Sequence, residues 1–256
     1  MRSVAERSTK QRSIGLDISL GTFQEHLDRI LTLGETHTSS YVCCVNAHMT
    51  VEAHRDPRFA AVVNGADMAT ADGMPVLYTL RWLHGQRQER VAGNDLMPAV
   101  LQASAERGLR IFLYGGRQEV LDKIRVRVEK ELPGMQFAGC YAPPFLPLEE
   151  MDLVRDAAMI EASGAHIVLV SLGCPKQERW MAAMSGRVHG VMLGLGGAFL
   201  LYAGVDTRAP RWMRDLSLEW AYRLALEPGR LWKRYLVTNS LFLGLMFREA
   251  ARKLFA

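Results

Sequence analysis

The sequence predicts an α/β fold with a mainly parallel, Rossmann-like sheet and flanking helices, followed by a basic helical C-terminal appendage. Three observations carry that expectation. Short apolar runs with strand character recur along the chain, separated by helical patterns of ten to fifteen residues, which is the rhythm of a parallel sheet. Glycines and other turn residues stand where several of these runs end. The rhythm stops near residue 206, beyond which the pattern is helical only. At 256 residues the chain can bury a large core, and 49% hydrophobic with 23% charged residues excludes disorder, collagen and coiled coil.

The elements follow in order. Ile14, Leu16, Ile18 and Leu20 alternate with small or polar residues, which predicts an early strand. Thr22-Phe23-Gln24-Glu25 matches a capping box, and Phe23, Leu27, Ile30 and Leu31 continue it as a helical stripe. Residues 41–45 form a short apolar run of strand type. Asp56 followed by Pro57 is an N-cap with proline in the first helical position, opening a helix to about Asn64. Further strands are expected at 110–114, 136–141, 166–172 and 188–193. Helices are expected at about 96–107, 118–131, 149–162 and 175–184. From Arg211 the chain reads as helix, interrupted at Glu227-Pro228-Gly229. The expected division is a catalytic domain over 1–206 and a membrane-associating appendage over 207–256.

Charge supports that division. The net charge is +4, yet residues 207–256 carry ten Lys/Arg against four acids, and the rest carries 21 against 23. The excess therefore belongs to the tail, where the arginines are interleaved with Trp, Tyr, Leu and Phe. No aromatic-rich RNA-binding motif accompanies them, so nucleic acid is not an expected partner. The longest uncharged apolar-rich run, 235–247, would span only ~20 Å as a helix, short of the ~30 Å hydrocarbon core. It is expected to lie on a bilayer rather than cross it, or else to pack on the body with its charges solvated. Its apolar residues would also let copies self-associate as a homo-oligomer. The N-terminus is polar and basic, with no following apolar stretch to serve as a signal peptide. The four cysteines show no C-x-x-C spacing, which points to a reducing compartment and against a disulfide framework or a zinc site.

Ligands of open α/β sheets bind beyond the carboxyl ends of the strands. Three strand exits here are rich in turn residues: Gly115-Gly116, Gly173-Cys174-Pro175-Lys176-Gln177-Glu178, and Gly194-Leu195-Gly196-Gly197. Each would offer backbone N–H groups near a helix start, suited to phosphate; tight packing explains glycines there equally well. No Walker A loop and no G-x-G-x-x-G occurs, against an NTPase or dinucleotide enzyme. With Pro175 in the first helical position, Lys176 and Gln177 would sit in the first turn beside the ligand space. Asp72, in an Asp-Gly pair, is either a turn residue or a carboxylate at a loop tip able to take a proton from a hydroxyl. Asn46, at the end of the 41–45 run, would share its crevice.

Several segments together resemble the WecG/TagA/CpsF family, glycosyltransferase family 26. They are Val45-Asn46-Ala47, Ala71-Asp72-Gly73, Val91-Ala92-Gly93-Asn94-Asp95-Leu96 and Gly173 to Glu178. Beyond these come Gly196-Gly197-Ala198-Phe199, Arg208-Ala209-Pro210, Leu218-Glu219-Trp220-Ala221-Tyr222-Arg223-Leu224, Glu227-Pro228-Gly229-Arg230 and Arg234-Tyr235-Leu236. The resemblance runs from about Ile14 to Leu236. It implies inverting transfer of a hexose (N-acetylmannosamine, its uronic acid, or glucose) from a UDP-sugar to a sugar on a polyprenyl diphosphate. The setting it implies is the inner face of the cytoplasmic membrane, in surface polysaccharide or exopolysaccharide synthesis. It makes Asp72 the catalytic base, Gln177 a catalytic contact of the donor sugar, and Arg223, Arg230 and Arg234 the lipid-diphosphate contacts. Asn46, Asn94, Asp95, Gly115, Gly116, Gly173, Lys176, Gly196 and Gly197 are the expected substrate-binding set. The family often has Thr two positions before its asparagine; here Cys44 stands there, a weaker hydrogen-bond donor.

No Asp-x-Asp pair occurs in the chain, so no metal site and no cofactor beyond the donor substrate are expected. Two alternatives stand beside this reading: a nucleotide-binding oxidoreductase, suggested by the α/β pattern and Gly115-Gly116, and a non-catalytic membrane scaffold that uses the basic tail.

Overall fold

The computed structural model describes residues 9–215, 218–226 and 228–255. A six-stranded, wholly parallel sheet organises the body: β3 (Ser40–Val45), β4 (Met68–Ala71), β5 (Arg110–Gly115), β6 (Gln136–Tyr141), β7 (Ile167–Ser171) and β8 (Val191–Gly194). Their order across the sheet is β4-β3-β8-β7-β5-β6. Side chains alternate between two cores, as period-two geometry requires. Tyr41, Cys43, Val45, Phe112, Tyr114, Val168, Val170 and Met192 face one core. Val42, Cys44, Ile111, Leu113, Ile167, Leu169, Val191 and Leu193 face the other. Cys43 and Cys44 are adjacent on β3 and therefore point to opposite faces.

Helices cover both faces. On the first lie α2 (Ala47–Arg55), α3 (Pro57–Asn64), α4 (Met74–His84), α7 (Leu153–Ser163) and α8 (Lys176–Met184). On the second lie α1 (Phe23–Glu35), α5 (Gly93–Arg107), α6 (Gln118–Glu131) and α9 (Ala198–Tyr202). The α1 capping box is present, with Thr22 Oγ1 accepting from Glu25 N and Glu25 accepting from the Thr22 N–H. Asp56 caps α3, whose first residue is Pro57.

The structure departs from the sequence expectation at several places. The single early strand is a hairpin of β1 (Lys10–Ser13) and β2 (Leu16–Ser19). Ile14 sits in its turn rather than in a strand, with φ +47, followed by Gly15 at φ +80. Two successive positive φ values are what a tight two-residue hairpin needs. The helix expected at 149–162 begins later, at Leu153, because Asp152 accepts from Arg155 N and caps it there. Pro175 precedes α8 instead of opening it. Its carbonyl accepts the first intrahelical bond, from Arg179 N at 3.3 Å, which makes it the cap. β4, α2 and α4 were not foreseen as separate elements. The buried Met68-Ala69-Thr70-Ala71 run is short and of mixed propensity, and strand pairing to β3 decides its state.

The tail comprises α10 (Arg211–Asp215), α11 (Glu219–Leu226) and the 27-residue α12 (Pro228–Leu254). One face of α12 packs on α2 and α4, with Thr238 and Phe242 buried and Leu245 against the first core. Glu249 secures it: Oε2 accepts from Ile14 N at 2.6 Å, and Oε1 is 2.8 Å from His84 Nε2. The opposite face exposes Trp232, Leu236, Leu243, Phe247 and Leu254, spaced at four and seven residues along one stripe. No helix among the described residues is long and apolar enough to cross a membrane.

Candidate active site

Because every strand of the main sheet is parallel, the exits of β3, β4, β5, β7 and β8 share one edge. β5 connects outward to β6 while β7 connects inward to β8, so the chain reverses its winding direction between β5 and β7. Ligands of such sheets settle beside a reversal of this kind.

At the β4 exit stands Asp72, half-buried, its N–H donating to Val45 O at 2.9 Å. Asn46 is its neighbour from β3, and a Cβ on Gly73 would lie 3.3 Å from Asn46 Cβ. Asn46 Oδ1 caps α2 by accepting from Met49 N at 3.1 Å. Asn46 and the Asp72–Gly73 turn thus lie side by side at this edge. Cys44, two residues before Asn46, lies under the same corner. Burial pushes its thiol pKa well up, the Asp72 charge adds to that, and the Thr70 hydroxyl bonds it.

Beyond β4 the chain returns along the same edge, Val91 N donating to Ala71 O at 2.9 Å and Thr70 Oγ1 to Val91 O at 2.9 Å. This brings the start of α5 beside Asp72. Arg90 sits among three carboxylates. Burial works against its charge, but Asp95, Glu219 and Asp72 outweigh that and hold the guanidinium above its ordinary range. Arg90 Nη2 is 2.9 Å from Asp95 Oδ2, and Nη1 is 3.3 Å from Glu219 Oε2. Arg208 grips the other Asp95 oxygen, and Asn94 Nδ2 donates to Glu219 Oε1 at 3.3 Å. Asn94 and Asp95, expected to meet substrate, thus hold α11 and the segment before it against the body.

The β7 and β8 exits supply the second half of the edge. The Cys174–Pro175 peptide is cis. Gln177 is buried against the end of β8: a Cβ on Gly194 would be 3.1 Å from its Nε2, and one on Gly196 3.3 Å from its Oε1. Gln177 Nε2 donates to Glu178 Oε1 at 2.7 Å. Glu178 has no exposed surface, and burial raises its carboxyl pKa against the bonds from Gln177 and Cys174 that lower it. Lys176 reaches the segment that follows β6, its Nζ donating to Leu146 O and resting 5.6 Å from the Phe145 ring.

The glycine exits divide by what their N–H groups already do. Gly116 N donates to Ser171 O at 2.8 Å and Gly196 N to Val170 O at 3.2 Å, so neither is spare for a phosphate. Gly115 serves close packing, since a Cβ there would lie 2.4 Å from Ser171 O. Gly173 and Gly197 are exposed on the open rim, with nothing within 4 Å of an added Cβ. The side chains of Arg223, Arg230 and Arg234 lie outside the described residues.

Sequence reasoning gave no role to Arg90, Arg208, Glu178 or Glu219. Glu178 carried a usable signal, because residues 177, 178, 181 and 184 share the helical face that also carries Trp180 toward the core. Arg90 and Glu219 carried none, being 129 residues apart.

Carboxylate, amide and guanidinium groups thus converge on the carboxyl edge of a doubly wound parallel sheet, the edge at which α/β enzymes of this class hold their ligands. A family model described as "Glycosyl transferase WecG/TagA/CpsF family" matches residues 11–255, and the chain belongs to that family. A protein of Bacillus spizizenii named N-acetylglucosaminyldiphosphoundecaprenol N-acetyl-beta-D-mannosaminyltransferase is 32% identical over 237 residues, covering 92% of this chain and 89% of its own. A Bacillus subtilis protein of the same name is 32% identical over 215 residues, 84% of this chain and 82% of its own. Membership sets the chain among glycosyltransferases rather than oxidoreductases.

Proposed function

We propose that this protein is an inverting, metal-independent hexosyltransferase that moves a hexose from a UDP-sugar to a sugar borne on a polyprenyl diphosphate. What carries the reading is that Asp72 and Gln177 stand on one carboxyl edge in a chain of this family. The β4 exit and the β8 exit against which Gln177 packs are two strand spacings apart, roughly 10 Å, with the β3 exit and Asn46 between them.

In this mechanism the Asp72 carboxylate takes the proton of the acceptor hydroxyl as that oxygen attacks the anomeric carbon. The bond from the anomeric carbon to the UDP oxygen breaks on the opposite face, so configuration inverts and UDP leaves with the electron pair. Gln177, held by Glu178, contacts the donor sugar. The charge on departing UDP meets backbone N–H groups of the open rim and basic side chains; one well-placed donor can be worth roughly 3 kcal/mol in a transition state. N-acetylmannosamine is the first donor sugar to test, since the two relatives are named for its transfer to a diphosphoundecaprenol-linked N-acetylglucosamine. Contact with the membrane runs through the exposed stripe and basic residues of α12, which suits an acceptor whose sugar sits just above a bilayer.

The deciding experiment screens UDP-sugars with a short-chain prenyl-diphosphate-N-acetylglucosamine acceptor and reads product by mass. One added hexose is expected, with undiminished turnover in EDTA. No product from any UDP-hexose would overturn the reading; loss in EDTA with rescue by magnesium or manganese would overturn metal independence.

A further inference from the structure

α4 buries Val76, Thr79 and Leu80, so its helical period turns Tyr78, Arg81 and Trp82 to the outer side. Trp82 is 63% exposed and stacks on Tyr78, with ring centroids 4.7 Å apart. Arg81 is exposed beside it, and Arg87, also exposed, lines the same shallow groove along α4. Neither guanidinium belongs to an ion pair among the described residues. The backbone that carries Arg87 is fixed. Gln86 N donates to Leu80 O at 3.0 Å, Gln88 Oε1 accepts from Gly21 N at 2.9 Å, and Glu89 Oε2 accepts from Phe23 N at 2.7 Å.

The end of α12 adjoins this face. Lys253 Nζ donates to Leu83 O and lies 2.9 Å from His84 Nδ1, while Glu249 Oε1 lies 2.8 Å from His84 Nε2. Leu83 directly follows Trp82, so the last turn of α4 and the last turn of α12 are held side by side. That turn of α12 leaves Leu254 and Phe255 almost wholly exposed, with Arg252 exposed among them. Apolar and aromatic side chains interspersed with cations are the composition of an interfacial surface. Trp and Tyr settle at the level of lipid headgroups, and Lys and Arg are drawn to anionic ones.

We infer that this corner of the body is a second membrane contact: Trp82 enters the headgroup layer of an anionic bilayer, and Arg81 and Arg87 meet the headgroup charge beside it. The inference rests on the proposed membrane contact of α12 and goes beyond it, since it gives the bilayer a place on the sheet-bearing body. A single helix lying on a bilayer leaves the body free to roll about that helix; a contact on α4, off the axis of α12, fixes the roll. It also fixes the height of the site. Met74 follows Asp72 by two residues, and Trp82 lies about 12 Å further along the α4 axis. The proposed base is thereby tied, through one short helix, to the leaflet that carries a lipid-linked acceptor. Attraction of this kind depends on charge rather than on a bidentate fork, so lysine serves as well as arginine.

The test follows sedimentation with phosphatidylglycerol vesicles for wild type, a triple variant (Trp82→Gln, Arg81→Gln, Arg87→Gln) and a pair (Arg81→Lys, Arg87→Lys), with α12 unchanged in all. Vesicle affinity should fall about tenfold in the triple variant and hold in the lysine pair, with circular dichroism and thermal midpoint unaltered. Transfer to a short-chain, soluble acceptor should be the same in every variant, while transfer to a long-chain acceptor embedded in the vesicles should fall severalfold in the triple variant. Equal vesicle binding by wild type and the triple variant would overturn the inference. A raised KM for the soluble acceptor would also overturn it, by placing the arginines in a substrate site. So would loss of binding in the lysine pair, or a smaller particle by light scattering without lipid, which would mean that a second copy covers the patch. Wild type that does not bind the vesicles at all would remove this contact and that of α12 together. Vesicle binding needs no turnover, so the expected losses in a protein that transfers no hexose would remove the proposed function and leave the contact standing.

Discussion

A glutamate in the first turn of a helix is ordinarily solvated and favours the helix dipole as an anion. Glu178 has that sequence position but no exposed surface, and burial raises its pKa. Its folded-state value lies above its unfolded one, so the stability it contributes is present at low pH and is lost as pH rises through the raised value. Glu178→Gln cannot ionise, so its stability should lose that fall from the ordinary glutamate range upward; denaturant midpoints at a series of pH values read the difference. Parallel curves for both proteins would mean Glu178 ionises freely. Asp72→Asn tests the base directly. Donor binding should survive while kcat falls roughly 10²–10⁴-fold, the usual worth of a positioned general base; a near-normal rate would remove Asp72 from the mechanism. Asp72 was visible in the sequence because an Asp-Gly pair sat in a recognisable family segment. Glu178 stood in an equally recognisable segment and on a readable helical face, yet the depth of its burial depends on α8 packing against β8 and β3, which no local pattern encodes.

At the level of elements, α12 shows how one helix serves two surroundings. Its inner face, Thr238, Phe242, Leu245 and Glu249, follows the helical period onto α2, α4 and the β1–β2 turn. Glu249 satisfies the N–H of Ile14, a β-branched residue at positive φ, and the ring nitrogen of His84. His84 Nδ1 lies 2.9 Å from Lys253 Nζ and 3.1 Å from Gln11 Nε2, both donors. It is therefore an acceptor, and Nε2–H donates to Glu249. Glu249→Ala leaves two partly buried donors unmet and should cost about 1–3 kcal/mol, read as a lower denaturant midpoint. An unchanged midpoint would mean α12 is held by apolar contacts alone. The boundaries of α1, α3 and α6 were readable from capping and periodicity, which are local. Those of α7 and α8 moved because a single side chain or carbonyl, from Asp152 and Pro175, selected the first turn.

For the whole molecule, the basic excess of the sequence resolves into a surface. Leu236, Leu243 and Phe247 are 61%, 49% and 68% exposed, far more than a helix buries when both faces are packed. Basic residues on that helix, Lys233, Arg248 and Arg252 among them, are exposed as well. Each can add at most about 1 kcal/mol near an anionic leaflet. Removing the whole tail would be a poor test of membrane binding, because Phe242 belongs to the body's core and its loss alone costs about 3–5 kcal/mol. Replacing Leu236, Leu243 and Phe247 by Gln leaves that packing intact. Sedimentation with phosphatidylglycerol vesicles should then fall severalfold while the circular dichroism spectrum and thermal midpoint hold. Undiminished vesicle binding would exclude the stripe as the membrane contact.

By itself the sequence determined the fold class, most of the strands, the separateness of the tail in charge, and the segments that mark the family. These are properties of neighbours along the chain: period, capping, turn residues and local composition. Tertiary structure decided which members of those segments share an edge and which partners each one meets. It turned Lys176 toward Leu146, gave Asn94 and Asp95 to the docking of the tail, buried Glu178, and set Arg90 among three carboxylates. The longest of these pairings, Lys176 with Leu146, Asp95 with Arg208, and Asn94 and Arg90 with Glu219, span 30 to 129 residues and depend on the order of the six parallel strands. Local propensity carries no information about that order, so the sequence could nominate candidate residues but not arrange them.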